Sequence, residues 1–352
     1  MDTLTHALSG LLLARATTSK KTKVYKHRLS LKARLLAGFF AAAFPDIDII
    51  ARFFGTLNYL ETHRGITHSI IMLPIWAFLI SVVYAKISRN YYHWKDFYLI
   101  SLFGIGAHIA GDVITAYGTM IFSPFSMMKL AWPTTFIIDF YFTGIIIAAI
   151  IFAFIFRKKG QQVAVTGLVC LLSYIGYQGI LSQQAGELAE KYSKEKQLAN
   201  YKISVMPQPF SPYHWKAIIK TGDIYRVGYI NLKSNKVLAA DKDASLFAKV
   251  DALYRPVNQV KWTVIDQYGK SDSERVKQVW NLDIMKPIRQ FMLYPTTAHE
   301  AKVDKNCVWF TDLRFVLQGV RQSPFKFGAC KENNKAWQLF QLNDGIKVSL
   351  FN

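Results

Sequence analysis

Apolar residues gather in four long runs, at 66–87, 97–117, 136–156 and 163–181. Each approaches or reaches the roughly 20 residues that carry a helix across a bilayer. Two shorter stretches precede them, 4–16 and 31–44, the second followed by further apolar residues to Ile50. The pattern predicts about six helices in a membrane domain over 1–183, the first two partial. Beyond Leu181 the chain changes character. "SQQAGELAEKYSKEKQLAN" is charged and helix-favouring, without glycine or proline after Gly186, so the last helix is expected to run on as a stalk over 184–200. From 201 to 352 come short segments such as "YKISVM", "IYRVGYINL", "VKWTVID", "CVWFTDLRFVLQ" and "PFKFGAC". They are rich in β-branched and aromatic residues and separated by Pro, Gly, Asn and Asp, the pattern of strands. The expected architecture is an all-α polytopic membrane domain followed by an antiparallel β-rich domain.

Charge then sets an orientation. Lysine and arginine concentrate in loops on the cytoplasmic side of a membrane. Lys20, Lys21, Lys23, Lys26, Arg28, Lys32 and Arg34 fall in 17–34; Lys86, Arg89 and Lys95 fall in the next loop on that side; Arg157, Lys158 and Lys159 fall in the third. The alternate loops, 45–65 and 118–135, carry only Arg52, Arg64 and Lys129, a ratio of thirteen to three. The N-terminus, these two loops and the C-terminal domain are therefore expected outside the cytoplasm. The net charge of +20 is spread over both halves. With no Gly-rich phosphate loop, zinc-finger spacing or helix-turn-helix pattern, it points to lipid and topology rather than to nucleic acid. The N-terminal segment lacks the basic start of a signal peptide and has His6 inside its apolar stretch, so it is read as part of the working protein.

Three cysteines do not make a disulfide framework. Cys170 lies in an apolar run and reads as a small core residue. Cys307 and Cys330 are either a pair, if their domain lies outside the cytosol, or two free thiols; a domain of this size does not need the bond, which favours free thiols.

Within the apolar half, the ionisable residues recur at helix ends. "MDTLTH" supplies His6, "FPDIDII" Asp46 and Asp48, "ETHRGITHS" His63 and His68, and "HIAGDVITAYGT" His108 and Asp112. By the loop charges all four segments deliver these groups to one side of the membrane. His108 and Asp112 are four apart and share a helix face. Ionisable residues inside an apolar segment are costly and default to function. Pro45 ends the second helix and lets both aspartates turn inward. His and Asp are nitrogen and carboxylate ligands for zinc and similar divalent ions. Seven of them exceed one tetrahedral ion and suit two or three, with zinc first and manganese as the alternative. Arg64 is the candidate to pair with a substrate anion, and Thr115 and Tyr117 stand near enough in sequence to orient substrate or water. Taken alone, each motif also has a plain explanation: a helix stop for the Asp-x-Asp, an interfacial histidine, an interhelical hydrogen bond. His27, His93, His214 and His299 fall in other regions and are set aside.

These motifs in this order, "MDTLTHALSG", "FPDID", "HRGITHS" and "HIAGDVITAYGT", resemble the bacterial membrane-bound metal-dependent hydrolases described as LexA-binding, inner-membrane-associated hydrolases. The similarity continues through "MPQPFSPYHWKAIIKTGDIYRVGYINL" and "DLRFVLQGVRQSPFKF". More distantly, the ligand set is similar to that of the zinc-dependent phospholipase C and single-strand nuclease superfamily. The resemblance implies hydrolysis of a phosphoester on a multi-zinc cluster. The LexA-binding part of the description is not carried over, because the charge pattern places the large domain outside the cytoplasm.

The sequence therefore points to a metal-dependent hydrolase of the bacterial inner membrane acting on a lipid or lipid-linked phosphoester. Asp112 and Arg64 are its candidate catalytic residues, and no nucleic-acid partner is expected. The rival readings are a metal or ion transporter, and a non-catalytic envelope protein with a structural metal site.

Overall fold

The structure, a computed structural model, describes all residues except 19–28, 242, 271, 299–305, 319–322, 332–335, 344 and 351–352. Lys20, Lys21, Lys23, Lys26, Arg28, His27 and His299 thus lie outside the described residues. The chain divides into two compact units, Met1–Ile50 with Thr62–Ile180, and Ala51–Glu61 with Leu181–Asn352.

The first unit is helical. Helix α1 (Thr3–Ala16) starts at Asp2, whose carboxylate accepts from Thr5 N, and α2 (Leu31–Ala43) starts at Ser30, whose hydroxyl accepts from Ala33 N. These are ordinary N-caps that satisfy the free amides of a first turn. A 3-10 stretch, Phe44–Phe54, follows α2, and a short α3 (Thr56–Thr62) follows that; the segment Ala51–Glu61 within them belongs to the second unit. Then come α4 (Leu73–Ile87), α5 (Trp94–Val113), α6 (Phe140–Ile155) and α7 (Gly160–Glu195).

Small residues decide how α1, α2 and α5 meet. A Cβ built on Gly10 would fall 2.2 Å from the Gly38 carbonyl oxygen, and one on Gly38 would fall 2.5 Å from that of Gly10. Gly104 of α5 lies similarly close to Ala41. With almost no side chain between them the backbones touch, the way helices pack where burial from water contributes little. Around this seam Ala41, Ala77, Ile105 and Ile109 form one apolar cluster, and Leu12, Ile146, Ala149 and Leu171 belong to another.

Helices occupy all six expected stretches, yet most are too short to cross a bilayer alone. α1, α2, α4 and α6 have 14, 13, 15 and 16 residues. Among the described residues one helical segment, Arg157–Glu195, is long and apolar enough by itself. The run at 66–87 is broken, which corrects the expectation of a single helix there. The pair Thr56–His68 and Leu73–Ile87 bends by 81° and is long enough only when taken together. The break has a local cause. The Ser69 hydroxyl accepts from Ile71 N and Met72 N, taking over helix-starting amides, and Pro74 then stands in the first turn of α4, where its missing N–H costs nothing. Many apolar side chains stay exposed, among them Ile147, Ile151, Phe152 and Phe154 on α6 and Val165, Val169 and Leu172 on α7. Faces of that kind suit lipid better than water.

At 36 residues α7 is about 54 Å long, well beyond a hydrocarbon core of about 30 Å. Its charged continuation is helical to Glu195 and does not stand free. Leu181, Ala185 and Ala189 are buried against Trp215, Ala217 and Ile219 in the second unit. Among the described residues that unit holds two sheets. The first has β1 (Lys202–Pro207), β2 (His214–Thr221), β3 (Ile224–Asn231) and β4 (Arg255–Pro256) in that order, with β5 (Thr263–Asp266) also paired to β3. The second runs β10-β9-β8-β7-β6, from β6 (Pro295–Thr297), β7 (Cys307–Asp312), β8 (Lys326–Cys330), β9 (Gln338–Asn343) and β10 (Ile346–Ser349). Pairing is antiparallel except for the short β3–β4 contact. Three helices that the strand pattern does not announce, α8 (Leu246–Asp251), α9 (Ser273–Asn281) and α10 (Lys286–Phe291), make the domain mixed rather than purely β.

Two features fix its interior. Lys216, on the buried central strand β2, is wholly enclosed, and its ammonium donates to the carbonyls of Leu313, Arg314 and Val316 at 2.6, 3.1 and 2.8 Å. Burial pushes that amine down to about 7. Cys307 and Cys330 form a disulfide, which corrects the expectation of free thiols. Strand register explains it: the two residues are directly opposed on antiparallel β7 and β8, with Cα atoms 4.0 Å apart.

Candidate metal centre

Four segments converge inside the first unit. The last turns of α5 bring His108 and Asp112 to one face, both fully buried. α1 contributes His6, and the 3-10 stretch after α2 contributes Asp46 and Asp48. Pro45 does not break the chain away from helical geometry, as the sequence implied; the helix tightens into 3-10 turns, and both aspartates still face inward. The fourth segment is the "HRGITH" turn. Arg64 adopts φ 61°, a left-handed conformation rare for a side chain of this size, and Gly65 follows. Asp48 holds this strained turn in place. One of its oxygens lies 3.0 Å from His63 Nδ1 and the other accepts from Arg64 N at 2.9 Å.

Asp46, His68, His108 and Asp112 each present one ligand atom, all within 4.8 Å of one another. The separations are informative. His68 Nε2 is 3.0 Å from His108 Nε2, 3.2 Å from Asp112 Oδ2 and 3.8 Å from Asp46 Oδ1; His108 Nε2 is 3.5 Å from both Asp112 Oδ2 and Asp46 Oδ1. Ligands about 2.1 Å from a tetrahedral zinc lie about 3.4 Å from one another. Five of the six edges of such a tetrahedron therefore match.

Protonation supports the same arrangement. His108 Nδ1 lies 2.6 Å from the Ala42 carbonyl, which can only accept, so Nδ1 carries the hydrogen. His68 Nδ1 faces Thr67 Oγ1 at 2.9 Å and the Asp48 carboxylate at 3.4 Å, which favours a hydrogen there too. In neutral rings both Nε2 atoms then direct lone pairs at each other across 3.0 Å. A divalent ion that takes both lone pairs would satisfy this contact, and a backbone or carboxylate partner on the far nitrogen is the usual support of a metal-binding imidazole. The residues present fit a divalent ion.

Asp112 divides its oxygens. Oδ1 takes the Met1 amine at 2.6 Å, His6 Nε2 at 3.0 Å and Arg64 Nη2 at 3.0 Å, while Oδ2 is turned toward the two histidines. His6 also stacks on the His108 ring, with centroids 3.7 Å apart. Of the seven expected ligands, four meet at one point. His63 and Asp48 pair beside it, and His6 packs against the ligands through Asp112 Oδ1. Arg64, expected to meet a substrate oxygen, is buried instead, with its guanidinium bound to Asp112 and to Thr115 Oγ1 at 2.9 Å. Thr115 completes that link by donating to the Asp112 carbonyl at 2.8 Å. Two contributors are not among the residues the sequence singles out. Thr3 Oγ1 donates to Asp46 Oδ2, and Lys129 lies over the Tyr117 ring. Thr3 is legible in principle, one turn before His6 on α1; Lys129 has no local signal.

Comparison with known proteins supplies the context. The family model described as the YdjM inner membrane protein matches residues 1–185, which include every residue of the cluster. An uncharacterized protein of Bacillus subtilis (strain 168), YfhP, is 26% identical over 232 residues, covering 65% of this chain and 68% of the relative. No solved structure matches. Because the match spans more than half of the chain, this protein belongs to the YdjM inner membrane protein family.

Proposed function

We propose that the protein is a metal-dependent hydrolase of the inner membrane, acting on a phosphoester of a lipid or lipid-linked substrate. The observation that carries the reading is the near-tetrahedral set of Asp46, His68, His108 and Asp112. When bound there, zinc or manganese would polarise a phosphoryl oxygen and make water a stronger nucleophile. The chain's own residues do the rest. His68 and His108 hold through Nε2, their tautomers set by Asp48 and Ala42. Arg64 and His6 hold Asp112 ionised and oriented, so that Oδ2 faces inward. Asp46, 19% exposed, is the only member of the four not fully buried, and a substrate would approach from its side. His63 and Asp48, next to the four, are the candidate ligands of a second ion.

Placement at a membrane surface has its own support. Ile47, Ile49 and Ile50, interleaved with the two aspartates, are about half exposed. An apolar rim of that kind suits a site at headgroup level. The disulfide in the second unit supports an oxidising, extracytoplasmic compartment, in line with the scarcity of Lys and Arg in the loops 45–65 and 118–135. Multi-pass insertion would follow if the shorter helices pair within the bilayer.

The test is a lipid-extract screen. Metal-loaded wild-type protein and Asp112→Ala are incubated with total bacterial lipid, and products are compared by mass spectrometry. A phosphorylated headgroup or its complementary lipid released by wild type alone is the expected result; identical profiles contradict the assignment.

A further inference from the structure

We propose that Arg15 and the turn Arg157–Lys159 form a binding site for the headgroup of an anionic phospholipid. The site is separate from the metal centre and does not depend on the reaction proposed there. Arg15 stands in the last turn of α1, about 14 Å along the helix from His6. It is 9% exposed, and its Nε is buried without a hydrogen-bond partner. Its Nη2 donates to the Arg157 carbonyl at 3.3 Å, a long bond to an oxygen that already accepts from Gly160 N. Among the described residues Arg15 is in no ion pair. The neighbouring sequence offers no anion either, since 3–45 and 140–186 contain no Asp or Glu.

Closing α1 does not need this guanidinium. Thr17 N reaches the Leu13 carbonyl at 2.9 Å, Arg34 Nε that of Ala14 at 2.9 Å, and Gln161 Nε2 that of Ala16 at 3.1 Å. The place of Arg15 is instead shaped by bare backbone. A Cβ on Gly160 would fall 1.9 Å from Arg15 Nη2 and 2.7 Å from its Cζ, so the guanidinium lies against the first residue of α7. That end of α7 is the positive end of its dipole. Arg157, Lys158 and Lys159, in the 3-10 turn leading into it, are all exposed. A guanidinium withdrawn from water among further cations is stable only with an anion at hand.

Apolar surface adjoins the charge. Phe154, Ile155 and Phe156 run directly into the turn, Val165 follows it on α7, and all four are exposed. A ligand with an anionic head and an apolar body fits both halves. Guanidinium binds phosphate oxygens through two N–H groups at once, and basic groups between membrane helices recognise such headgroups. In a chain of an inner membrane protein family, a diacyl lipid is the amphiphile at hand.

The experiment titrates phosphatidylglycerol, phosphatidylcholine with the same acyl chains, and inorganic phosphate into full-length protein in a neutral detergent. Bound molecules are counted by native mass spectrometry. Wild type is expected to favour phosphatidylglycerol over phosphatidylcholine by about tenfold or more, the value of one hydrogen bond between charged groups. Arg15→Met should lose that preference and Arg15→Lys keep part of it. Lys158→Gln with Lys159→Gln, both at exposed positions, should weaken phosphatidylglycerol binding about fivefold per lysine removed. Equal affinity of wild type for the two lipids, or an unchanged preference in Arg15→Met, overturns the proposal. If Arg15→Met does not fold, an unchanged preference in the double lysine variant overturns it. Inorganic phosphate bound as tightly as phosphatidylglycerol marks a soluble ligand and overturns the lipid assignment.

Discussion

Arg64 Nη2 lies 3.0 Å from Asp112 Oδ1, with both side chains almost wholly buried. A carboxylate so enclosed is stable as an anion only with a cation at hand. The pair therefore explains how Asp112 stays ionised inside an apolar bundle, and why Arg64 accepts a strained backbone. Replacing Arg64 by Met should loosen metal binding by about 10–100-fold, the usual cost of losing a partner that orients a ligand. Arg64→Lys should recover part of it. Competition against a chelator of known affinity measures both.

The seam between α1 and α2 gives a second expectation. Gly38→Ala would set a methyl group against the Gly10 carbonyl and the Ala14 methyl, neither of which can yield without moving a helix. The variant should lose about 1–3 kcal/mol, the range for overpacking, and release metal more readily because His6 moves with α1. Gly176→Ala, on α7 with nothing within 4 Å, is the control and should be neutral or slightly stabilising. Thermal melts in detergent compare them.

Much of the site is legible in the amino-acid sequence alone. The ligand motifs stand out because ionisable residues are expensive in apolar runs, and His108 with Asp112 follows from helical spacing. The break after His68 is hidden because hydropathy at 66–87 is continuous; Ser69 stops the helix by hydrogen bonding, which no average registers. Arg64 reads as a free cation because sequence gives no sign that its guanidinium folds back onto a residue 48 positions away. In the second unit, "HWKAIIKT" escapes the strand pattern because Lys216 interrupts its apolar run, and only the three carbonyls that receive it make its burial tolerable. The disulfide depends on strand register, which spacing in sequence does not reveal.

Lys216 also predicts a pH dependence. Its amine is held near 7 in the folded chain and near its ordinary 10.5 in the unfolded one. Below pH 7 both states carry the proton, and folding bears the full cost of the buried charge. Between pH 7 and 10 the unfolded chain binds one more proton, so stability should rise with pH, by on the order of 4 kcal/mol at most. Denaturant unfolding of full-length protein across that range should show the slope, and Lys216→Met should flatten it even though its absolute stability is lower.

The Cys307–Cys330 bond spans 23 positions. Chain-entropy reasoning gives it about 3 kcal/mol, through restriction of the unfolded state. Cys307→Ala with Cys330→Ala should therefore lower the denaturation midpoint of the second unit and leave metal content unchanged. A parallel loss of metal would show that the bond matters to more than its own sheet.

The metal centre itself is tested most directly by elemental analysis of purified full-length protein after loading with zinc and removal of excess ion. Wild type should retain at least one ion per chain, and His108→Ala and Asp112→Ala should each lose it while keeping the helical circular-dichroism signal. Wild type without stoichiometric metal, or either variant retaining it in full, would contradict the account.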